Sequence, residues 1–183
     1  MRAFVALDLP EPVVDAIGAL QEWLPLGRHV APDNLHLTLA FLGEQPDGVI
    51  AEADAALQGL RLPAFELSLC GVDVFGGPAP GLVFLGVAPN PALGALHRKV
   101  MGALRGAGLG LGRVRFRPHV TLARLPKRLG AGDRDRLGQF LAAHADLRLP
   151  PFRVGHFTLY RSTLGRGAPL HEVLADYPLG AGT

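Results

Sequence analysis

The sequence contains only one cysteine and no long apolar run. Cys70 has no second cysteine to pair with, which excludes an internal disulfide and favours a reducing compartment. No run approaches the ~18 apolar residues that a membrane-spanning helix needs. Asp8 and Pro10 interrupt the apolar start of the chain before it is long enough for a secretory signal. We therefore expect a cytoplasmic protein that does not contact a membrane.

Acidic residues are missing from one long part of the chain. Residues 74–132 hold nine Lys and Arg but no Asp or Glu, whereas residues 1–73 hold eleven acids against three arginines. A basic segment without acids is typical of a surface that attracts a polyanion, because its cations neutralise phosphates and release counterions. The alternative is a bias in base composition, which explains the preference for Arg over Lys but not the missing acids.

A strand-and-helix pattern occurs twice along the 183 residues. Strand-like alternation occurs at residues 2–7, 34–42 and 65–75, and again at 82–87, 114–124 and 152–162. Helical spacing occurs at 11–24, 47–60, 91–105 and 133–144. A Gly/Pro segment at 76–81 separates the halves, and a short strand or tail near 170–179 closes the chain. This repetition predicts one α+β domain over 1–183, in which halves at about 1–75 and 82–183 form two β-α-β-α-β lobes related by a pseudo-twofold axis.

The middle predicted strand of each half carries the same four-residue pattern. It is His36-Leu37-Thr38-Leu39 in the first half and His119-Val120-Thr121-Leu122 in the second. Because side chains alternate along a strand, each His and its Thr face one side, and the apolar neighbours face the core. Two lobes related by a twofold axis would place the two patterns across a shared cleft.

A third match, His156-Phe157-Thr158-Leu159, lies on the last predicted strand of the second half. The corresponding strand of the first half offers Ser68 or Cys70 at that place, so this histidine has no symmetric partner. We interpret His156 as structural or peripheral. The other histidines have no accompanying motif and are expected on the surface: His29, His97, His144 and His171.

Paired histidines suit phosphoryl transfer by general acid–base catalysis. Imidazole titrates near neutral pH, so one histidine can take a proton from water while the other gives one to the leaving oxygen. Each Thr hydroxyl can hold a non-bridging phosphate oxygen or orient the substrate. The alternative is a pair of buried histidines that bond neighbouring threonines. Neither pattern includes an Asp or Glu, and a dinuclear phosphodiesterase needs several carboxylates, so we predict no metal and no cofactor.

The chain resembles the two-histidine (2H) phosphoesterase superfamily, specifically the RNA 2′,3′-cyclic phosphodiesterases, which are also called 2′-5′ RNA ligases. Residues 34–43 and 116–124, around the two patterns, carry the similarity, together with residues 2–10 and 159–162. The resemblance implies a bilobal 2H phosphoesterase fold with antiparallel sheets facing a central cleft. It also implies metal-independent hydrolysis of an RNA 2′,3′-cyclic phosphate end to a 2′-phosphate. In this family the first histidine is the proton donor and the second the acceptor, which corresponds to His36 and His119.

The resemblance leads to a set of expected site residues. We expect catalysis by His36, Thr38, His119 and Thr121, and substrate binding by Arg115, Arg117, Arg124 and Phe41. Relatives in this family often have a basic residue where this chain has Ala40 and Gly81, so the three arginines must supply more of the phosphate contacts. Two of them have the strand parity of the second histidine, whereas Arg124 has the opposite parity unless the strand bulges.

The expected partner is RNA with a 2′,3′-cyclic phosphate end, and we expect the protein to be a monomer. Two alternatives remain open. The same site in reverse would join a 5′-hydroxyl to a cyclic phosphate as a 2′-5′ RNA ligase. A non-catalytic protein that binds RNA ends would need the cations but not both histidines.

Overall fold

Four α-helices, one short 3-10 helix (Pro32–Asn34) and ten strands are present in the computed structural model, which describes residues 1–113 and 115–180. The helices are α1 (Glu11–Trp23), α2 (Asp47–Gln58), α3 (Pro91–Gly106) and α4 (Ala131–His144). The strands are β1 (Arg2–Asp8), β2 (Arg28–His29), β3 (His36–Glu44), β4 (Phe65–Leu67), β5 (Leu69–Phe75), β6 (Leu82–Val87), β7 (His119–Arg124), β8 (Phe152–Val154), β9 (His156–Thr163) and β10 (Leu170–Pro178). Among the described residues, no helix is both long enough and apolar enough to cross a membrane.

Most strands belong to one antiparallel sheet. Its order is β10-β9-β1-β3-β7-β6-β5, and β2 joins it by pairing with β7. β4 and β8 form a separate two-stranded sheet. The four helices and the antiparallel pairing confirm the predicted α+β class.

The outer strands of this sheet are exchanged between the two halves of the chain. β9 pairs with β1 of the N-terminal half, and β5 pairs with β6 of the C-terminal half. The expected assignment of residues 1–75 to one lobe and 82–183 to the other is therefore corrected. One lobe consists of β10, β9, β1 and β3, and the other of β2, β7, β6 and β5.

The exchange has a local cause in the Gly/Pro segment. Residues 76–81 are the short loop of a hairpin, closed by a hydrogen bond from the Gly81 amide to the Phe75 carbonyl. Gly76 and Gly77 both have positive φ, a conformation that favours glycine. Antiparallel strands joined by so short a loop pair with each other, so β5 must lie beside β6.

The two lobes meet where β3 runs antiparallel to β7. The register pair at this junction is Leu37 with Val120, and both side chains are fully buried. α3 packs against β3, and α1 packs against β7. The apolar side chains of the helices and of this sheet face belong to one core. The helices therefore cover one face of the sheet at this junction, and polar residues can occupy the opposite face.

Some strand bounds differ from those predicted. β7 begins at His119, not at residue 114, because Pro118 has no backbone N–H to donate to the ladder. Val114, where the predicted strand begins, lies outside the described residues. The predicted strands 65–75 and 152–162 are each divided, at Ser68 and Gly155, and their first parts pair as β4 and β8. The C-terminal segment is a nine-residue strand, β10.

Replacing Leu37 with Ala should destabilise the protein strongly. The side chain is 0% exposed at the lobe junction, and deleting a buried leucine side chain costs ~2–5 kcal/mol of unfolding free energy because a cavity remains. The matched control is Leu170→Ala on β10, where the leucine is 61% exposed; a surface change of this kind alters stability by less than ~0.5 kcal/mol. Urea unfolding followed by circular dichroism measures both. Equal losses would contradict the assigned core.

Candidate active site

The two His-x-Thr patterns lie side by side at the lobe junction. Because Leu37 pairs with Val120, the flanking His and Thr of both strands project from the opposite face of the sheet. All four side chains line one cavity of about 430 Å³, which we call the central cleft: His36, Thr38, His119 and Thr121. The structure thus brings together the four residues expected to be catalytic.

Each histidine is held in the same way by its own backbone. Nδ1 of His36 lies 2.8 Å from the carbonyl oxygen of Asn34, and Nδ1 of His119 lies 2.7 Å from that of Arg117. A carbonyl oxygen only accepts, so Nδ1 must carry the hydrogen in each neutral ring. Nε2 is then the nitrogen that is able to take up or give a proton. This matched fixing of two imidazoles suits a base and an acid that act on one substrate.

A β-bulge in each central strand turns one more side chain into the cleft. The register of β3 shifts between Thr38 and Ala40, and that of β7 shifts between Thr121 and Ala123. Each bulge leaves two consecutive residues buried, so the residue that follows returns to the cleft face. These residues are Phe41, which is 68% exposed, and Arg124. The structure therefore places both of these predicted binding residues in the central cleft.

A stacked aromatic pair lies beside each histidine. Phe4 has its ring centroid 4.8 Å from that of His36 and stacks on Tyr160. Phe84 lies 5.5 Å from His119 and stacks on Phe75. Aromatic packing of this kind fixes the orientation of an imidazole without adding charge.

The charged side chains that line the central cleft are arginines, and none of its lining residues in the described chain is an Asp or Glu. Arg2, Arg28 and Arg124 all contribute. Arg28 is directly opposite Arg124 in the register of β2 with β7, and like charges in such positions destabilise a sheet. An anion bound between them would remove this repulsion. The cleft is therefore suited to a phosphate group.

His36 is electrostatically different from an ordinary surface histidine. Burial, and next the His171 imidazole, lower the pKa of His36 to about 4, although the Asn34 carbonyl and the Asp8 carboxylate act in the opposite direction. The His171 ring centroid lies 5.3 Å from that of His36, and burial also lowers the pKa of His171. In the free protein at neutral pH, His36 is therefore an uncharged imidazole.

Two predicted binding residues lie outside the central cleft. Arg115 and Arg117 line a second cavity of about 730 Å³ on the side of β7 away from β3. Both precede β7 and are exposed. The guanidinium of Arg117 lies over the ring of Phe75, with its carbon 4.4 Å from the ring centroid. Strand parity had suggested that Arg115 and Arg117 face the same side as His119, but both residues precede the start of β7, so strand alternation does not apply to them.

His156 takes part in a separate polar cluster on β1, β9 and β10. Its Nε2 lies 3.0 Å from Oδ2 of Asp8, which also accepts a hydrogen bond from Thr158, and Oδ1 of Asp8 accepts one from Tyr160. Burial and the bond to Asp8 raise the pKa of the Tyr160 phenol above its usual range. His156 does not line the central cleft. This placement agrees with its interpretation as structural or peripheral.

The same cluster contains the donor set that a metal could use among the described residues. One ligand atom each from Asp8, His156 and Asp176 lies within 4.8 Å of the other two. The hydroxyl of Thr158, which is fully buried, lies 2.7 Å from a carboxylate oxygen of both aspartates. The four residues of the central cleft, His36, Thr38, His119 and Thr121, are not part of this set.

Several residues of the central cleft were missed in the sequence. His171 was expected on the surface, but it is half-buried in the cleft, opposite Ser162 in the register of β10 with β9. Arg2 and Arg28 also line the cleft. Arg2 could have been suspected from the sequence, because it is a cation at the polar start of an otherwise apolar strand. His171 had none, because its place depends on β10 crossing to the N-terminal lobe.

The chain is similar to known proteins in both sequence and structure. The profile of the 2′-5′ RNA ligase superfamily matches residues 9–166. The chain is 34% identical to an RNA 2′,3′-cyclic phosphodiesterase of Geobacillus stearothermophilus over 96% of this chain and 56% of that protein. It is 32% identical to an RNA 2′,3′-cyclic phosphodiesterase of Escherichia coli K12 over 97% and 96% of the two chains. A crystal structure of Escherichia coli LigT complexed with 3′-AMP superposes with a TM-score of 0.78, at 28% identity over 97% of each chain. These matches confirm the resemblance.

The His36 ring should be neutral at pH 7, with its hydrogen on Nδ1. Imidazole ¹⁵N chemical shifts report the tautomer directly, and a titration should give a midpoint of about 4. Replacing His171 with Gln should raise that midpoint, because the neighbouring imidazole opposes protonation of His36. The pKa is lower in the folded chain than the ordinary 6.5, so stability should fall as the pH drops from 6.5 toward 4. A midpoint near 6.5 in the folded protein would contradict the burial of this ring.

Proposed function

This chain belongs to the 2′-5′ RNA ligase superfamily, and on that premise we propose that it hydrolyses RNA 2′,3′-cyclic phosphate ends to 2′-phosphomonoesters. The observation that carries the proposal is the pair of histidines fixed through Nδ1 in one arginine-lined cleft. The relatives named above are RNA 2′,3′-cyclic phosphodiesterases. The proposed activity belongs to the same class.

The proposed reaction is an in-line displacement at phosphorus. Nε2 of His119 takes a proton from water, and the water oxygen forms a new bond to phosphorus. The bond between phosphorus and O3′ breaks, and Nε2 of His36 gives its proton to O3′. The product carries the phosphate on O2′. The two histidines end with exchanged protonation states, which solvent restores before the next turnover.

The proton-donor role requires His36 to acquire a proton when substrate binds. Its pKa of about 4 in the free protein reflects mainly burial of the charged form. A cyclic phosphate carries a negative charge, and an opposite charge within a few ångströms favours imidazolium. Substrate binding would therefore supply the electrostatic condition for protonation of the donor.

The remaining cleft residues hold the substrate in this proposal. Thr38 and Thr121 face the cleft beside the histidines and would donate hydrogen bonds to non-bridging oxygens. Arg124, with Arg28 opposite, would neutralise the phosphate charge. Phe41 is exposed at the cleft and would contact the terminal nucleoside. We propose that the protein acts as a monomer and without metal or cofactor.

Ligation would use the same site, with an RNA 5′-hydroxyl in place of water as the nucleophile: the 5′ oxygen would bond to phosphorus, the bond to O3′ would break, and a 2′-5′ phosphodiester would form. The superfamily name includes this activity. The cleft is accessible to solvent at Phe41 and Arg124, and water that reaches the phosphate favours hydrolysis. Hydrolysis is therefore the direction that we propose. The third possibility is a non-catalytic protein that binds RNA ends. Such a protein would need the arginines but would not need two imidazoles fixed through Nδ1.

Replacing either cleft histidine should remove most of the activity. His36→Ala and His119→Ala should each lower kcat by ~10²–10⁴-fold, because each removes one partner of the acid–base pair. The double variant should lose little more than either single variant, since both groups serve one displacement. Initial rates on one oligonucleotide with a 2′,3′-cyclic phosphate end, at one pH, measure all three.

The matched control is His156→Ala. This third His-x-Thr histidine bonds Asp8 outside the central cleft, so the variant should keep its rate within a few-fold. Circular dichroism verifies that each variant is folded. If folded His156→Ala were as inactive as His119→Ala, the active site would have to be assigned to different strands.

Activity should persist in excess EDTA. No carboxylate lines the central cleft among the described residues, so the proposed chemistry depends on imidazole, hydroxyl and guanidinium groups. Rates on the same oligonucleotide are compared before and after dialysis against chelator. Loss of turnover that a divalent cation restores would contradict the metal-free mechanism.

A further inference from the structure

A buried glutamine of α1 bonds the backbone of two segments that line the central cleft. Gln21 is only 6% exposed, although its side chain is polar. Its Nε2 donates hydrogen bonds of 2.9 Å to the carbonyl oxygens of Val30 and Leu122. A primary amide has two N–H groups, so both bonds can form at once. Gln21 does not line the cleft itself, and no step of the proposed reaction uses it.

One of the two bonds lies at the β-bulge of β7. The register of β7 with β6 skips Leu122, which therefore has no opposite residue on β6. On the other edge of β7, the Leu122 carbonyl accepts a hydrogen bond of 2.9 Å from the Val30 amide as well as the one from Gln21. This bulge turns Arg124 into the cleft, so Gln21 fixes the backbone of β7 two residues before that arginine.

The second bond holds the segment that carries the facing arginine. β2 is only two residues long, and it places Arg28 opposite Arg124 on β7. Like charges in these positions oppose the pairing of the two strands. The bond from Gln21 to the Val30 carbonyl ties the residue directly after β2 to α1. Because both bonds start from one nitrogen, Gln21 fixes the spacing between the two strands that carry the arginines.

A close contact before β2 holds the same segment from its other end. Gly27 has a φ of 88°, and a Cβ at this position would lie 3.0 Å from the carbonyl oxygen of Arg124. The chain therefore lies tightly against β7 at residue 27 and is tied again at residue 30. Arg28 lies between these two points, and its side chain remains exposed at the cleft.

We infer that Gln21 is a positioning residue for phosphate binding, which holds Arg28 and Arg124 at a fixed spacing in the central cleft. This inference rests on the proposed function, because it takes these two arginines as the site for the substrate phosphate. Buried hydrogen bonds from Gln21 offset the repulsion between the guanidinium groups before an anion arrives. The site is therefore formed in advance, and less binding energy is lost in ordering it.

Replacing Gln21 with Met should weaken phosphate binding and leave the chemical step nearly unchanged. Methionine is compatible with a helix and adapts to a core site, but it donates no hydrogen bond. The Kd for inorganic phosphate, measured by calorimetry, should rise about tenfold, as expected when a charge-assisted contact is misplaced. KM for an oligonucleotide with a 2′,3′-cyclic phosphate end should rise similarly. kcat should change by less than about twofold, because Gln21 contacts neither cleft histidine.

The matched control is Ile17→Val on the same helix. Ile17 lies one turn before Gln21 and is 0% exposed, so its truncation lowers thermal stability without removing a hydrogen bond. Its phosphate Kd and its KM should match those of the wild-type protein. If Ile17→Val raised KM as much as Gln21→Met does, the effect would be a general loss of stability, and the positioning role would be overturned.

A double variant tests whether Gln21 acts through the arginine. Arg28→Gln alone should also weaken phosphate binding. In Gln21→Met/Arg28→Gln, the increase in Kd should be smaller than the product of the two single increases, because both changes affect one contact. Fully multiplicative increases would contradict the inference. If Gln21→Met does not fold, Gly27→Ala displaces the same segment from its other end, and an unchanged KM in that variant would overturn the inference.

The outcomes separate this inference from the proposed function. An unchanged phosphate Kd in folded Gln21→Met overturns the positioning role, and the proposed function stands as long as the wild-type protein opens the cyclic phosphate. A wild-type protein that binds phosphate but hydrolyses no cyclic phosphate end overturns the proposed function. In that case a raised phosphate Kd in Gln21→Met would still support the positioning of the two arginines.

Discussion

The pairing of β3 with β7 is the contact on which the rest of the structure depends. It joins the two lobes through Leu37 and Val120, whose burial is enforced by the helices on one face of the sheet. Because strand side chains alternate, fixing these two residues in the core forces both His-x-Thr pairs onto the opposite face. A shift of one residue in either strand would bury a histidine and expose a leucine or valine, so core packing specifies the register that places both histidines in the central cleft.

The two sides of the central cleft share the same local structural features. Each histidine bonds the carbonyl two residues before it, each strand bulges after its threonine, and each imidazole has a stacked aromatic pair beside it. The side chains that these features present are different. At the equivalent position after the bulge one strand carries Phe41 and the other Arg124. The similar backbones of the two strands therefore supply two similar imidazoles, whereas their side chains differ: an aromatic ring stands at one edge of the cleft and a guanidinium at the other.

The acid-free and the acidic segments of the sequence lie on different sides of the central cleft. The acid-free segment contributes β6, β7 and the residues before β7, which all lie on the His119 side. The carboxylates nearest to His36 come from β1 and β10. A histidine near a carboxylate is favoured as a cation, whereas burial favours the neutral ring, and for His36 burial has the larger effect. The balance can be reversed by a bound anion, which links protonation of the proposed donor to occupation of the cleft.

The sequence by itself was enough to predict the helices and most strands of each half. It was also enough to find the two corresponding His-x-Thr patterns and to separate His156 from them. These features depend on local periodicity and on short motifs, which a chain carries along its own length. Only the tertiary structure decided the exchange of β5 and β9 between lobes, the arrival of His171 beside His36, and the division of the arginines between two cavities. Strand parity predicted that Arg124 points away from the cleft unless a bulge intervenes, and the bulge is visible only in the register with β6. The physical reason is that the neighbour of each strand depends on contacts between segments far apart in the chain, and local sequence patterns contain no information about those contacts.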